Sequence, residues 1–164
     1  MDKDNVFFTI TMDEALFTYL LTSRKSPVNP HDCYHVLQDR GINPGFALAQ
    51  FTIESNCGTA GKGAINKNWG NLRSGPRQEG TRGGMAIYSH FLISLMDYCD
   101  LVYHYINNDG IETLPQFCQR FAPPSENQTN FYINFMQQFI LNHANLIPRS
   151  VIVTWPSLGL TNAE

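Results

Sequence analysis

The chain has 164 residues, of which 43% are hydrophobic, 12% aromatic and 15% charged, with a formal net charge of −3. That balance suits one folded domain with a sizeable core and excludes a disordered segment. No basic block is present, so no nucleic-acid partner is expected, and no apolar run reaches membrane-spanning length, so no membrane span is expected.

The first residues, "MDKDNVFFTITMDEALF", are acidic and lack the basic start and apolar run of a signal peptide. Thr11 and Glu14 have capping-box spacing and predict a short helix to about Leu21. "TSRKSPVNP" breaks it as a surface linker. Asn29-Pro30 reads as an N-cap followed by a first helical residue, with Gly41 closing that helix. His31 and His35 lie four residues apart on it. A metal site needs three or four ligands and the sequence offers no partner motif, so no metal is expected. Asn43-Pro44 repeats the N-cap pattern and opens a helix carrying Ala47, Leu48, Phe51 and Glu54.

Residues 55 to 84 are dense in glycine and poor in large apolar groups. They read as an irregular lobe with two short strands, near Asn71–Arg73 and Met85–Tyr88. Ser89 is expected to cap a long helix to about Asn107, and Thr113 a short one to about Phe121. Ser125 and Gln128 make a further capping box before a helix to about Asn145. The tail "VIVTWPSLGLTNAE" is expected to add a short extended piece. Cys33, Cys57, Cys99 and Cys118 form no CxxC pair and read as buried free thiols.

The candidate chemistry centres on "ALAQFTIESNCGTAG". Glu54 shares a helix face with Ala47 and Phe51 and sits at the negative end of the helix dipole. Apolar surroundings and the dipole both disfavour its ionised form and raise its pKa, as a general acid requires. The alternative is a solvated glutamate at a helix end.

"AQFTIESNCGT" followed by "NKNWGNLRS" resembles the lysozyme-like glucosaminidases of glycoside hydrolase family 73. "MAIYSHFLISLMDYCDLV" and "RFAPPSENQTNFYINFM" resemble that family's third and fourth segments, in the same order. The resemblance spans about residues 30 to 145. It implies a mainly α (α+β) fold of lysozyme-like type, with a helical lobe, a small irregular or β lobe and a cleft between them. The expected organisation is an N-terminal helix and linker over 1–29, the glucosaminidase-like domain over 30–147, and a packed tail over 148–164.

The resemblance also implies a peptidoglycan hydrolase, an endo-β-N-acetylglucosaminidase acting on N-acetylglucosamine-containing cell-wall glycan without a cofactor. A lytic transglycosylase or muramidase on the same scaffold, or a catalytically weak glycan-binding module, are the other readings. Glu54 is expected to protonate the leaving glycosidic oxygen. Glu79, the only acid between Glu54 and Asp97, is expected to supply the second carboxylate from a mobile loop, or else to be a solvated residue paired with Arg77 or Arg82. With one acid only, the substrate's acetamido group or its own hydroxyl would have to serve.

Trp69 is expected either to stack on a sugar or to plug the core. Asn68, Asn71 and Arg73 are expected to bind substrate polar groups or to tie the lobe together, and Tyr88 to line the cleft. Asp97 is expected to make a structural hydrogen bond. The chain departs from the family at Phe121, where a tyrosine is usual; Tyr132, on the next helix, could compensate. A monomer is expected, secreted or at the cell envelope, reached by release at lysis, by a specialised route or after loss of a leader.

Overall fold

The computed structural model describes residues 4–124 and 128–143. A π-helical turn at Asp4–Phe8 leads to α1 (Glu14–Ser23), α2 (Pro30–Asp39), α3 (Pro44–Ser55) and the short α4 (Gly61–Asn66). The strands β1 (Gly80–Arg82) and β2 (Met85–Ile87) follow, then α5 (Phe91–Asn107), α6 (Leu114–Phe121) and α7 (Thr129–His143). The described chain is thus mainly helical, with one two-stranded antiparallel sheet that pairs Gly80 with Ile87 and Arg82 with Met85. Among the described residues no helix is long and apolar enough to cross a membrane.

Local chemistry sets most helix boundaries. The side chains of Asn29 and Asn43 accept from backbone amides in the first turns of α2 and α3, each with proline at the start. A free first-turn N–H is thereby satisfied and φ is already helical. Thr113 and Gln116 form the reciprocal capping box on α6. Three expected boundaries differ. Asp13 caps α1, while the Thr11 hydroxyl is drawn inward to donate to Asn43 Oδ1 at 2.9 Å. The N-cap of α5 is His90 instead of Ser89. Residues 61–66, read as irregular, form α4, which buries Gly63 and Asn66. Ser125 and the 148–164 tail lie outside the described residues.

The core is one cluster running from Val6 to Ile140. It includes Phe17, Leu20 and Leu21 of α1, so the boundary expected at residue 30 marks the start of α2 and no break in packing. At its centre α3 is buried from Pro44 to Phe51 and packs against α7. Phe46 sits edge-on to Phe7 and Phe117, with ring centroids at 5.1 and 4.9 Å. All four cysteines are buried and free. Burial pushes the thiols of Cys33, Cys99 and Cys118 up to about 12, which keeps them protonated and inert as nucleophiles.

After α3 the chain reverses through Asn56, Cys57 and Gly58, all at positive φ. A Cβ on Gly58 would meet the rings of Phe51 and Phe91 at 2.9 Å, so the turn needs glycine for space as well as for φ. The segment 68–72 then clips onto the hairpin. Asn68 Nδ2 donates to the carbonyls of Leu72 and Ala86, and its Oδ1 accepts from the Leu72 amide. The strand expected at 71–73 is absent; Leu72 instead accepts from the Ala86 amide beside β2. The loop before β1 is docked on α5, where buried Asp97 accepts from the Arg77 amide and guanidinium and from the Tyr88 hydroxyl. Asp97 thus makes the structural hydrogen bonds expected of it.

Trp69 joins these parts. Its ring is fully buried and stacks on Phe51 at 3.9 Å between centroids. Its indole N–H donates to the Ala47 carbonyl and its backbone N–H donates to Ser94 Oγ. Trp69→Ala is expected to lower unfolding free energy by about 3–5 kcal/mol. Urea unfolding checks this; a loss under about 1 kcal/mol would contradict the assigned packing.

Candidate active site

Glu54 lies in the last turn of α3, half-buried. Gln50, one turn earlier, shares its face, and both point to α7. There Tyr132 donates its hydroxyl to Glu54 Oε1 at 2.6 Å and accepts from Gln50 Nε2 at 3.1 Å. From the opposite direction Asn71 Nδ2 donates to Glu54 Oε2 at 2.8 Å and to the Glu54 carbonyl at 3.0 Å. Asn71 adopts the left-handed conformation, φ 50°, which asparagine tolerates better than most residues and which aims its amide back at α3. Each carboxylate oxygen of Glu54 therefore has one donor.

Burial raises the pKa of Glu54 above the ordinary glutamate value, and the hydrogen bonds from Tyr132 and Asn71 pull it down in part. Desolvation wins because the carboxylate lies against an apolar helix end. The Tyr132 hydroxyl is held well above its ordinary value, first by its own burial and then by the adjacent Glu54 charge, so it stays a donor.

Glu54 opens onto a groove of about 500 Å³. One wall is the segment Asn71–Ser74 with Met85 of β2; the other is Leu101 and Tyr105 of α5 with Arg120, Phe121 and the following Ala122–Pro123. Arg120 lies over the Tyr105 ring at 4.6 Å and contacts Asp109 at 3.3 Å. Glu54 is the sole carboxylate among the described residues lining this groove.

The expected site residues divide accordingly. Asn71 and Tyr132 hold the Glu54 carboxyl, and Asn71 and Arg73 line the groove. Trp69 takes the core role, since a fully buried ring offers no face to a sugar. Asn68 is wholly occupied with backbone groups, which is the lobe-tying role. Tyr88 is buried with its hydroxyl on Asp97 and does not line the groove. Glu79 is exposed at the foot of the hairpin, outside the groove lining. Its expected pairing with Arg77 is replaced, because Arg77 bonds Asp97 and Asp100 at 2.6 and 2.7 Å.

Sequence reading missed Gln50, Leu101, Tyr105 and Arg120. A buried glutamine one turn before the candidate acid was a usable signal, as was the four-residue spacing of Leu101 and Tyr105 on one face of α5. Arg120 enters only through the packing of α6. Comparison with protein-family models, characterised proteins and solved structures found no match for this chain.

The raised pKa of Glu54 fixes the sign of its linkage to folding. Below the ordinary carboxylate pKa both states carry the proton and its contribution to stability is complete. As pH rises through the higher folded value, that contribution is lost. The stability of Glu54→Gln relative to wild type is therefore expected to rise as pH increases from 4 to 7 (about the window from the ordinary value upward). Chemical denaturation at each pH checks it, and a difference that falls with pH would contradict it. Tyr132→Phe is expected to raise the Glu54 pKa further, as read by carboxyl ¹³C NMR titration; a downward shift would contradict the hydrogen-bond assignment.

Proposed function

We propose that the protein is a lysozyme-like glycan-cleaving enzyme of the cell-wall type, with Glu54 as its general acid. The observation that carries this reading is a half-buried carboxyl of raised pKa, gripped by two donors at the wall of an open groove. Both partners of Glu54 are donors as arranged. Neither takes the proton of the neutral acid, so that proton is available to an acceptor in the groove. When it leaves, the same two donors stabilise the carboxylate that forms. A group so placed is suited to protonating the leaving oxygen of a glycosidic bond.

The groove walls suit a sugar ligand. Phe121 and Leu101 offer apolar surface for pyranose faces, while Arg73 and Arg120 offer N–H donors to hydroxyl or acetamido oxygens. Phe121 cannot supply the hydroxyl that its family counterpart has. Its ring centroid lies 6.3 Å from that of Tyr132, whose hydroxyl reaches Glu54 instead. The resemblance in sequence and the joint placement of Glu54, Asn71 and Tyr132 favour N-acetylglucosamine-containing peptidoglycan as substrate and an endo-β-N-acetylglucosaminidase reaction. The corresponding compartment is outside the cytoplasm, secreted or at the cell envelope.

A second reading has a specific observation behind it. Among the described residues Glu54 is the one carboxylate lining the groove, and none of them there offers a counter-ion to the positive charge that develops on the sugar. The substrate's acetamido oxygen can attack and leave hydrolysis as the outcome, or the sugar's own hydroxyl can attack and give an anhydro product, as in a lytic transglycosylase. Glu54→Gln is expected to abolish the clearing of purified cell walls, a loss of about 1000-fold or more, with the fold retained by circular dichroism. Glu79→Gln is expected to retain activity within about threefold, as an exposed charge away from the groove should. Mass spectrometry of the product ends then separates a reducing N-acetylglucosamine from a reducing muramic acid or an anhydro-sugar. Wild-type clearing by Glu54→Gln would remove Glu54 from the acid role, and glycan binding with no cleavage by the native chain would leave a binding module.

A further inference from the structure

Away from the groove, α1 and α2 bring together three side chains that no step above employs. Glu14 opens α1, and His31 and His35 sit one turn apart on α2. His31 Nδ1 lies 2.6 Å from Glu14 Oε1, and His35 Nε2 lies 3.5 Å from Glu14 Oε2. The two imidazole centroids are 4.2 Å apart. One donor atom from each of the three side chains falls within 4.8 Å of the others. The sequence had argued against a metal because a pair of histidines lacks a third ligand; the packing of α1 on α2 supplies it.

We propose that Glu14, His31 and His35 form a binding site for a borderline divalent transition-metal ion, with zinc the best match. Two imidazoles and one carboxylate are the donors that such ions favour, whereas magnesium and calcium favour all-oxygen sets. Bonds of about 2.0–2.2 Å in tetrahedral array place neighbouring ligand atoms roughly 3.3 Å apart. The two observed contacts, 2.6 and 3.5 Å, bracket that spacing, so an ion enters with small side-chain adjustments. All three donors stand on helices, and a four-residue spacing directs two imidazoles to one helix face. The side chains of His31, His35 and Glu14 are 69%, 43% and 38% exposed, which gives an ion direct access and leaves its remaining positions to water. The bound ion fastens α1 to α2 and thereby ties the N-terminal helix to the rest of the fold. The hydrogen bond between Glu14 and His31, with His35 close by, is the state the ion replaces.

The test is calorimetric titration of the full, untagged, chelator-treated chain with zinc chloride near neutral pH, with melting temperature followed in parallel. The expected result is one ion per chain and a rise in melting temperature that magnesium chloride does not produce. His31→Ala, His35→Ala and Glu14→Ala are each expected to weaken binding by about tenfold or more. His104→Ala, which alters a histidine paired with Asp109 on the surface, is expected to bind as wild type does. Cobalt(II) bound in place of zinc should show no sulfur-to-metal charge-transfer band. Absence of zinc binding by the folded chain would overturn the proposal. So would binding that survives the joint replacement of His31 and His35, or a thiolate band from cobalt. None of these readouts involves glycan cleavage, so the site stands or falls separately from the groove.

Discussion

The placement of one carboxyl group constrains the rest of the molecule. Glu54 ends an otherwise apolar helix, and burial alone would expel its charge or force it to keep a proton. The fold holds it in place with two donors that come from distant parts of the chain, Tyr132 on α7 and Asn71 before the hairpin. Each donor is itself held: Tyr132 by Gln50, and Asn71 by its second bond to the Glu54 carbonyl. The acid is consequently fixed by the same contacts that pack α7 and the hairpin segment onto α3. Its pKa is raised by burial and limited by these bonds, which leaves a group able both to carry a proton and to release it.

The structure around this point divides its polar residues between framing and exposure. Asn68, Ser94, Asp97 and Tyr88 bind backbone or loop groups of the segment between α4 and α5, and Trp69 fills the space between that segment and α3. They pack behind the groove wall and do not line it. Gly75 illustrates how close this packing is, since a Cβ there would lie 2.2 Å from Asp97 Oδ2. The loop that carries Arg77 can dock on α5 only with glycine at that position. The groove surface is formed by residues such as Arg73, Leu101, Arg120 and Phe121, which mix apolar surface with hydrogen-bond donors.

Much of the helical frame was legible because it is written in local signals. Asn-Pro pairs at Asn29 and Asn43 and the Thr113 capping box mark helix starts through bonds spanning three residues or fewer. Glu54 was legible for a similar reason, as an acid at the end of an apolar run. The roles of Trp69, Tyr88 and Asn68 were not, because an aromatic or amide side chain serves core and cleft equally well until its neighbours are known. Thr11 misled because its capping-box spacing is outweighed by a long-range hydrogen bond to Asn43. The Glu14, His31 and His35 cluster was invisible for the same physical reason: its third member comes from a different helix, 17 residues away from the first histidine.

The central claim is that Glu54 meets a glycosidic oxygen in this groove. A crystal structure of the Glu54→Gln chain bound to a chitin oligosaccharide tests it most directly. Sugar rings are expected along Leu101 and Phe121, with one glycosidic oxygen within about 2.6–3.2 Å of the residue-54 side chain. A bound oligosaccharide whose linkages all lie beyond reach of that side chain, or one seated elsewhere on the molecule, would contradict it.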